Sequence, residues 1–504
     1  MNVASGNLMA SGVLKIVFVY PEFENLGVEY LMAICLECGF DVEFVAYEAE
    51  NSYFNKKRDL SFLSIARRIA KTKADIVAFS CVTDNYRNQL ECAKSLKKIS
   101  PNTSTIFGGI HITALPEKVL QESCVDSIAI GEADVSLPEF LKECHKQNGK
   151  VIFPSTSIDG IVFKNNNEMV GEFKEGQLAD LNMLPYPHKE PFFPDKRGLA
   201  NEYRIITSRG CPYSCTYCFN SFLHEMRGKK VIKQRNVENV INELIWAKGK
   251  YSIKKVFFID DSFTTNKRWI REFSEQYKRK IRLPFACIAN PDYIDNEVAE
   301  LLRSAGCVFI QIGVQSISED ISKKIIRRAA TREKITKAIS SLKDAGIMIQ
   351  VDHMLGIPGD NIENQEESIL FYNKLRPDLI SVFWLTYYPK TPILKEAIRL
   401  NLLSLSDIQN IENGIGITET SFHNGGSMKD ASEYYGIHFL LNYLPILPSR
   451  IVEKIISRKI YRKILLKNYY ITTVIPRLIH CIFDKRYFVG RNLLLSFVQR
   501  LYGK

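Results

Sequence analysis

Short apolar runs alternate with helical segments twice along this chain, and the alternation is broken once by a stretch rich in Pro and Gly. A strand followed by an amphipathic helix and then another strand can return to its sheet only as a parallel neighbour, so the rhythm confines the fold to α/β architectures. The first round runs through VLKIVFVY, FDVEFVAY, DIVAFSCV, TSTIFGG and DSIAIGE, each followed by a helical segment. Five such units predict a doubly wound parallel sheet over residues 1–148. Residues 149–200 read as a linker. They hold a hairpin, GIVFKNNNEMVGEF, and an extended Pro-rich piece, LPYPHKEPFFPDKRG. The rhythm restarts at Tyr203 and supplies six strands, YRIITSRG, IKKVFFIDD, LPFACIANPD, CVFIQIGVQS, IMIQVDHMLGIPG and LISVFWLTYYP. Six units over residues 201–395 predict a (β/α)6-type partial barrel, with its chemistry at the strand C-termini. Residues 396–504 read as a helical, basic C-terminal region. A length of 504 residues agrees with more than one core.

The chain has twelve cysteines, most of them single and set in apolar runs, which indicates a reducing cytoplasm. The N-terminus lacks the basic-then-apolar pattern of a signal peptide, and no run of about 18 apolar residues suggests a membrane span. One cysteine cluster stands out. SRGCPYSCTYCFN places Cys211, Cys215 and Cys218 in a C-x3-C-x2-C array directly after a barrel strand. Structural zinc sites close with four ligands, whereas three thiolates can hold three irons of a four-iron cube and leave the fourth open. A zinc site with a distant fourth ligand stays open at this level, as do three thiols without metal. The second C-x2-C, Cys35 to Cys38, falls on one helix face without Gly or Pro and reads as packing. GVQSISED has no histidine placed to activate its serine.

CPYSCTYC resembles the signature of the radical S-adenosylmethionine (SAM) enzymes, including the aromatic Tyr217 before the third cysteine. The resemblance implies a [4Fe–4S] cluster on Cys211, Cys215 and Cys218. Its open iron takes the amino and carboxylate groups of SAM, whose sulfonium is cleaved to a 5′-deoxyadenosyl radical. By the same resemblance Asp260 and Asp261 lie near the methionine amino group, Gln315 and Ser316 near the ribose, and Gly356 with Gly359 near the adenine. Asn290 to Asp292 end the third strand beside them. The first domain resembles the cobalamin-binding domain of class B-type radical methylases, which places Ser80, Thr83, Gly108, Gly109, His111, Gly131 and Glu132 beside the corrin. The D-x-H-x2-G motif that supplies a cobalt ligand is absent after the first strand, and His111 reads as a loop-packing residue. The implied activity is cobalamin-dependent methylation of an unactivated carbon. Radical cyclisation or rearrangement and a non-enzymatic iron–sulfur protein are the alternatives. Methylthiolation is disfavoured, because the first domain has no second cysteine cluster.

The net charge of +11 is local. Of 67 Lys and Arg residues, 13 fall between Ser449 and Lys504, a segment with only Glu453 and Asp484 as acids; the remainder is balanced at 54 of each sign. PSRIVEKIISRKIYRKILLKNYY reads as a basic amphipathic helix, with Tyr469, Tyr470 and Phe483 among the aromatics that follow its basic face. An anionic membrane surface is the first partner this suggests, and a solvated helical cap the bland reading. Nucleic acid is disfavoured, since no recognition motif accompanies the charge. The expected partners are thus a small-molecule or lipid substrate, a reducing electron donor and an anionic surface. The expected location is cytoplasmic, at or near the inner membrane face.

Overall fold

The computed structural model describes residues 13–47, 61–165, 168–192, 201–415, 432–466, 468 and 470–483. The chain divides into two compact units, residues 1–192 with 409–415, and residues 193–408 with 416–504.

In the first unit, β1 (Lys15–Pro21), β2 (Asp41–Tyr47), β3 (Ile76–Ser80), β4 (Ser104–Gly108) and β5 (Ser127–Ala129) are all parallel, in the order β2–β1–β3–β4–β5. The order reverses between β1 and β3, and the crevice at their C-terminal ends is where open sheets of this kind take ligands. Ile16 to Tyr20 are buried without interruption, as expected of a strand covered by helices on both faces. Cys35 is likewise packed in the core of the helix Leu26–Glu37.

The segment read as a linker departs from that expectation. Its hairpin, β6 (Ile161–Asn165) and β7 (Glu168–Val170), pairs antiparallel with β5 and extends the same sheet. The turn residues Asn166 and Asn167 lie outside the described residues. The Pro-rich piece is fastened to the first unit by an ion triad in which Lys189 and Glu29 are fully buried. Lys189 Nζ lies 2.5 Å from Glu24 Oε1 and 2.7 Å from Glu29 Oε2. The aliphatic stem of a lysine and two compensating carboxylates make this burial tolerable where an unpaired charge would not be.

In the second unit, β8 (Glu202–Ile205), β9 (Lys255–Phe258), β10 (Phe285–Ala289), β11 (Cys307–Gln315), β12 (Met348–Leu355) and β13 (Leu379–Trp384) are parallel neighbours in chain order. The order is linear, so the sheet is an open partial barrel, as the six repeats predicted. Five of its helices begin at Asn236, Asn266, Asp295, Thr331 and Asn361, whose side chains accept from backbone N–H groups of the first turn. These caps fix where each helix leaves its loop and hence how far each strand end projects.

The continuous helix expected after Pro448 does not form. Helix Ser449–Ser457 stops at Lys459, which has φ +55°, and single turns Ile460–Lys463 and Tyr470–Val474 precede helix Ile475–Phe483. Tertiary contacts override the periodicity: Lys459 and the Tyr461 hydroxyl both bond the carboxylate of Glu366, and Tyr461 is wholly buried. Tyr469 and everything beyond Phe483 lie outside the described residues. Among the described residues no helix is long and apolar enough to cross a membrane.

Candidate active site

The cysteine loop leaves the C-terminal end of β8. Ser208–Arg209 first pair antiparallel with Lys233–Gln234. Gly210 then adopts φ +90°, and a Cβ there would lie 2.2 Å from the Val231 carbonyl oxygen, so only glycine fits. Thr216 anchors the middle of the loop. Its N–H donates to the Ile326 carbonyl at 3.2 Å, its Oγ1 to the Ile325 carbonyl at 2.7 Å, and its own carbonyl accepts from Ile393 N at 3.0 Å. Cys218 N donates to the Cys215 carbonyl at 3.0 Å, closing the turn between the last two cysteines. All three cysteines are free thiols. Burial pushes Cys211 up to about 11 and Cys218 up to about 12, so both prefer the thiol form unless a metal's charge compensates the thiolates.

Among the described residues, no three His, Cys, Asp or Glu side chains gather closely enough to hold a single metal ion. Three thiols presented by one short loop match the donor chemistry of a larger iron–sulfur cluster. Arg328 supplies a positive charge on the inner side. Its guanidinium donates to Tyr217 Oη at 3.0 Å, reaches Cys215 Sγ at 3.6 Å and bonds the Gly313 carbonyl.

The other strand ends differ in what they offer. Asp260, expected near a bound amino group, is 1% exposed and staples the loop base: Oδ1 accepts from Thr207 N (2.9 Å), Thr207 Oγ1 (2.8 Å) and Ser208 Oγ (2.6 Å). Burial raises its carboxyl to about 6, and Oδ2 has no hydrogen-bond partner among the described residues, which leaves one acceptor for a ligand amine. Asp261 is exposed, accepts from Asn220 Nδ2 at 3.0 Å and acts electrostatically on Cys211 and Cys218. Gln315 has φ +70° at a register shift between β11 and β12, a strained conformation of the kind that collects at ligand sites. Ser316 is buried, with its carbonyl held by Ser322 Oγ. Gly356 and Gly359 both have positive φ in the turn after β12. Asn290 caps the turn Pro291–Tyr293, and Asp292 accepts from the hydroxyl of Tyr213, inside the cysteine loop, at 2.5 Å. The expected NPD segment thus braces that loop.

A cavity of about 570 Å³ opens from Tyr217 into the barrel. Phe257, Phe309, Met354 and Trp384 form its apolar wall, and Gln311, Gln350, Ser381 and Arg477 its polar one. Beside it the buried Asp352 accepts from Gln311 Nε2 at 2.6 Å and Gln350 Nε2 at 3.1 Å, and burial raises its carboxyl to about 6. Arg477 donates to Ser381 Oγ at 2.6 Å. Arg328, Gln311, Gln350, Asp352 and Arg477 were not singled out from sequence. A signal existed for the middle three. In MIQVDHML, Gln350 and Asp352 are polar residues two apart in a strand otherwise apolar but for His353, so they share one face, and Gln311 is similarly set in CVFIQIGVQ.

In the first unit, Ser80 ends β3, Thr83 begins helix Thr83–Ile99, and Gly108 ends β4. Gly109 has φ +99°, and a Cβ there would lie 2.5 Å from the Cys81 carbonyl oxygen. His111 is 1% exposed, its Nδ1 sits 3.1 Å from Thr83 Oγ1, and its ring stacks on Tyr86 at 4.0 Å. Burial lowers its pKa to about 3, which keeps the ring neutral. These are the contacts of a packing residue. Beside Gly131 lies the carboxylate of Glu175, which also accepts from Glu132 N at 3.3 Å. The loops after β3, β4 and β5 therefore meet at one end of the sheet, but Gly109, His111 and Gly131 face their own chain at close range.

Residues 15–141 match the B12 binding domain and residues 205–372 the Radical SAM superfamily. The chain is 28% identical over 407 residues to an uncharacterized methyltransferase of Pyrococcus horikoshii, covering 78% of this chain and 84% of the relative. It is 23% identical over 419 residues to the anaerobic magnesium-protoporphyrin IX monomethyl ester cyclase of Cereibacter sphaeroides, covering 76% and 63%. The cobalamin-dependent S-adenosylmethionine radical enzyme OxsB, solved with aqua-cobalamin bound, has a similar fold, with a TM-score of 0.63 over 97% of this chain and 80% of that one at 15% identity.

Proposed function

From the premise that this chain carries a B12-binding domain followed by a radical SAM domain, we propose that it is a cobalamin-dependent radical SAM methyltransferase. It acts on an unactivated carbon of a small molecule. The observation that carries the reading is the three-cysteine loop at the end of the first of six parallel strands, opening through Tyr217 into a half-apolar barrel cavity. Cys211, Cys215 and Cys218 would hold the [4Fe–4S] cluster. Asp261 and the free oxygen of Asp260 would receive the amino group of SAM. The strained Gln315, Ser316 and the Gly356 turn would lie along its nucleoside. Ser80, Thr83, Gly108 and Glu132 stand at the strand ends where the corrin would lie. Bound together, the two cofactors would supply a hydrogen-abstracting radical and a transferable methyl group; the chain supplies orientation and a dry pocket.

The walls of Phe257, Phe309, Met354 and Trp384 suit an apolar or aromatic substrate body, and Gln311, Gln350 and Arg477 a polar end. A lipid remains one form of such a body. In the described part of the tail Lys459 pairs with Glu366 and Arg477 lines the cavity, while Arg450, Lys454, Arg458, Arg462 and Lys463 are exposed and would be free to face an anionic membrane surface. The location is cytoplasmic in this reading, and the reaction needs an electron donor.

A second reading, radical ring formation without methyl transfer, draws on the likeness to the cyclase. Product analysis separates the two. Methyl transfer yields S-adenosylhomocysteine together with 5′-deoxyadenosine, whereas cyclisation yields 5′-deoxyadenosine alone. Reconstitution with hydroxocobalamin tests the first domain: a stoichiometric corrin spectrum is expected after gel filtration, and its absence contradicts methyl transfer by cobalamin.

A further inference from the structure

Part of the C-terminal tail lines the barrel cavity. The turn Tyr470–Val474 and the helix Ile475–Phe483 bring Thr473 and Arg477 to it, one helical turn apart and so on one face. Among the described residues, Arg477 is the one Lys or Arg in the lining of this space of about 570 Å³. Its guanidinium makes a single hydrogen bond, from Nη2 to Ser381 Oγ at 2.6 Å, and among the described residues it has no carboxylate at ion-pair distance. Nε and Nη1 are without a partner there.

Thr473 gives a second, independent observation. Its side chain is 5% exposed, and Oγ1 has no hydrogen-bond partner among the described residues, although buried hydroxyls are ordinarily paired. Gln311 and Gln350, across the polar wall, both turn amide N–H groups to Asp352. Arg477 and Thr473 are thus two neighbouring donors that the chain itself does not use up, one cationic and one neutral. The bland alternative is that Arg477 only offsets the charge of Asp352. The two act on each other electrostatically without forming an ion pair, burial still raises that carboxyl to about 6, and Arg477 gives its hydrogen bond to Ser381 instead.

We infer that Arg477 and Thr473 hold a carboxylate of the substrate, which makes this part of the tail a specificity element and the substrate an apolar or aromatic carboxylic acid. The inference rests on the reading above of this cavity as the substrate site of a radical enzyme. A guanidinium pairs with a planar carboxylate through two parallel N–H groups, and the Thr473 hydroxyl adds a further donor. One unpaired cation beside the acid Asp352 suits a single negative charge better than the two of a phosphate monoester. Phe257, Phe309 and Trp384 receive the apolar body. Tyr217 of the cysteine loop lines the same cavity, so a molecule held by its carboxylate keeps its carbons in the space that the loop borders.

The test uses the anaerobically reconstituted full chain, with hydrocinnamate, its neutral amide and phenethyl phosphate as probes and isothermal titration calorimetry as the readout. Wild type is expected to bind the acid about tenfold more tightly than the amide. Arg477→Gln is expected to bring that ratio to about one, Arg477→Lys to keep part of it, and Thr473→Val, nearly the same in shape, to lower it about threefold. Equal binding of acid and amide by wild type, or binding of neither, overturns the inference with no variant needed, so a variant that fails to fold does not shield it. An unchanged acid preference in folded Arg477→Gln overturns it as well, and a preference for the phosphate ester over the acid overturns the assignment to a carboxylate. Failure of the radical reading shows elsewhere, as absence of dithionite-driven SAM cleavage by the wild-type enzyme, and leaves the acid preference standing.

Discussion

Gly210 is the residue on which the geometry of the cysteine loop turns, because its positive φ and the Val231 carbonyl 2.2 Å from a would-be Cβ both exclude a side chain. Gly210→Ala is expected to strain the loop by about 1–3 kcal/mol and to cut iron content after reconstitution severalfold. Far-ultraviolet circular dichroism should stay unchanged, so iron loading at wild-type levels would contradict the role given to the turn. Asp352 carries a pH signature. Burial raises its folded pKa to about 6 from 3.8, so the folded state holds the proton more tightly than the unfolded chain. The stability it leaves intact below about pH 4 is therefore lost as pH rises toward and past 6. Asp352→Asn is expected to shrink that loss by about 2 kcal/mol, measured by urea unfolding of the metal-free protein at about pH 4 and about pH 7. At this scale the sequence showed the cysteines at once, because their spacing is itself the chemistry. It did not show that Asp260 is half spent on Thr207 and Ser208, or which ring His111, read as a packing residue, stacks on. Such commitments depend on neighbours far away in the chain, which local patterning cannot register.

At the scale of elements, the strands were legible because buried parallel strands are unbroken apolar runs bounded by turn residues, and all eleven expected strands of the two sheets form. The hairpin and the helical tail were read, but the hairpin's place in the first sheet and the break in the tail helix were not, for one physical reason. Hairpin β6–β7 and the broken helix after Ser457 take their structure from distant partners, β5 in one case and Glu366 in the other. Two substitutions probe those partnerships. Lys189→Met leaves Glu24 and Glu29 without their buried cation and is expected to destabilise the first unit by about 3 kcal/mol, seen as a lower urea midpoint. Gly436→Ala would place a Cβ 1.9 Å from the Tyr461 carbonyl oxygen and force helix Ser432–Tyr443 off the turn Ile460–Lys463. A fall in melting temperature is expected, with a cost of about 2 kcal/mol, and an unchanged value would mean that the tail does not rest on this contact.

At the scale of the whole molecule, two α/β units in one chain divide the labour between a sheet suited to a corrin and a barrel that presents a three-thiol loop to its own cavity. Much of this follows from the sequence, since both sheets and the metal loop are written in short-range patterns. The cavity is less legible, because Arg477 reaches it from the tail and Arg328 reaches Tyr217 at its edge from a loop, and no spacing rule joins them to the cysteines. The central claim is that Cys211, Cys215 and Cys218 hold the cluster that cleaves SAM. Its most direct test is 5′-deoxyadenosine formation by anaerobically reconstituted protein with dithionite, alongside Cys211→Ala, Cys215→Ala and Cys218→Ala. The account predicts about four irons per wild-type chain and product from wild type alone. Undiminished product from any of the three variants would contradict it.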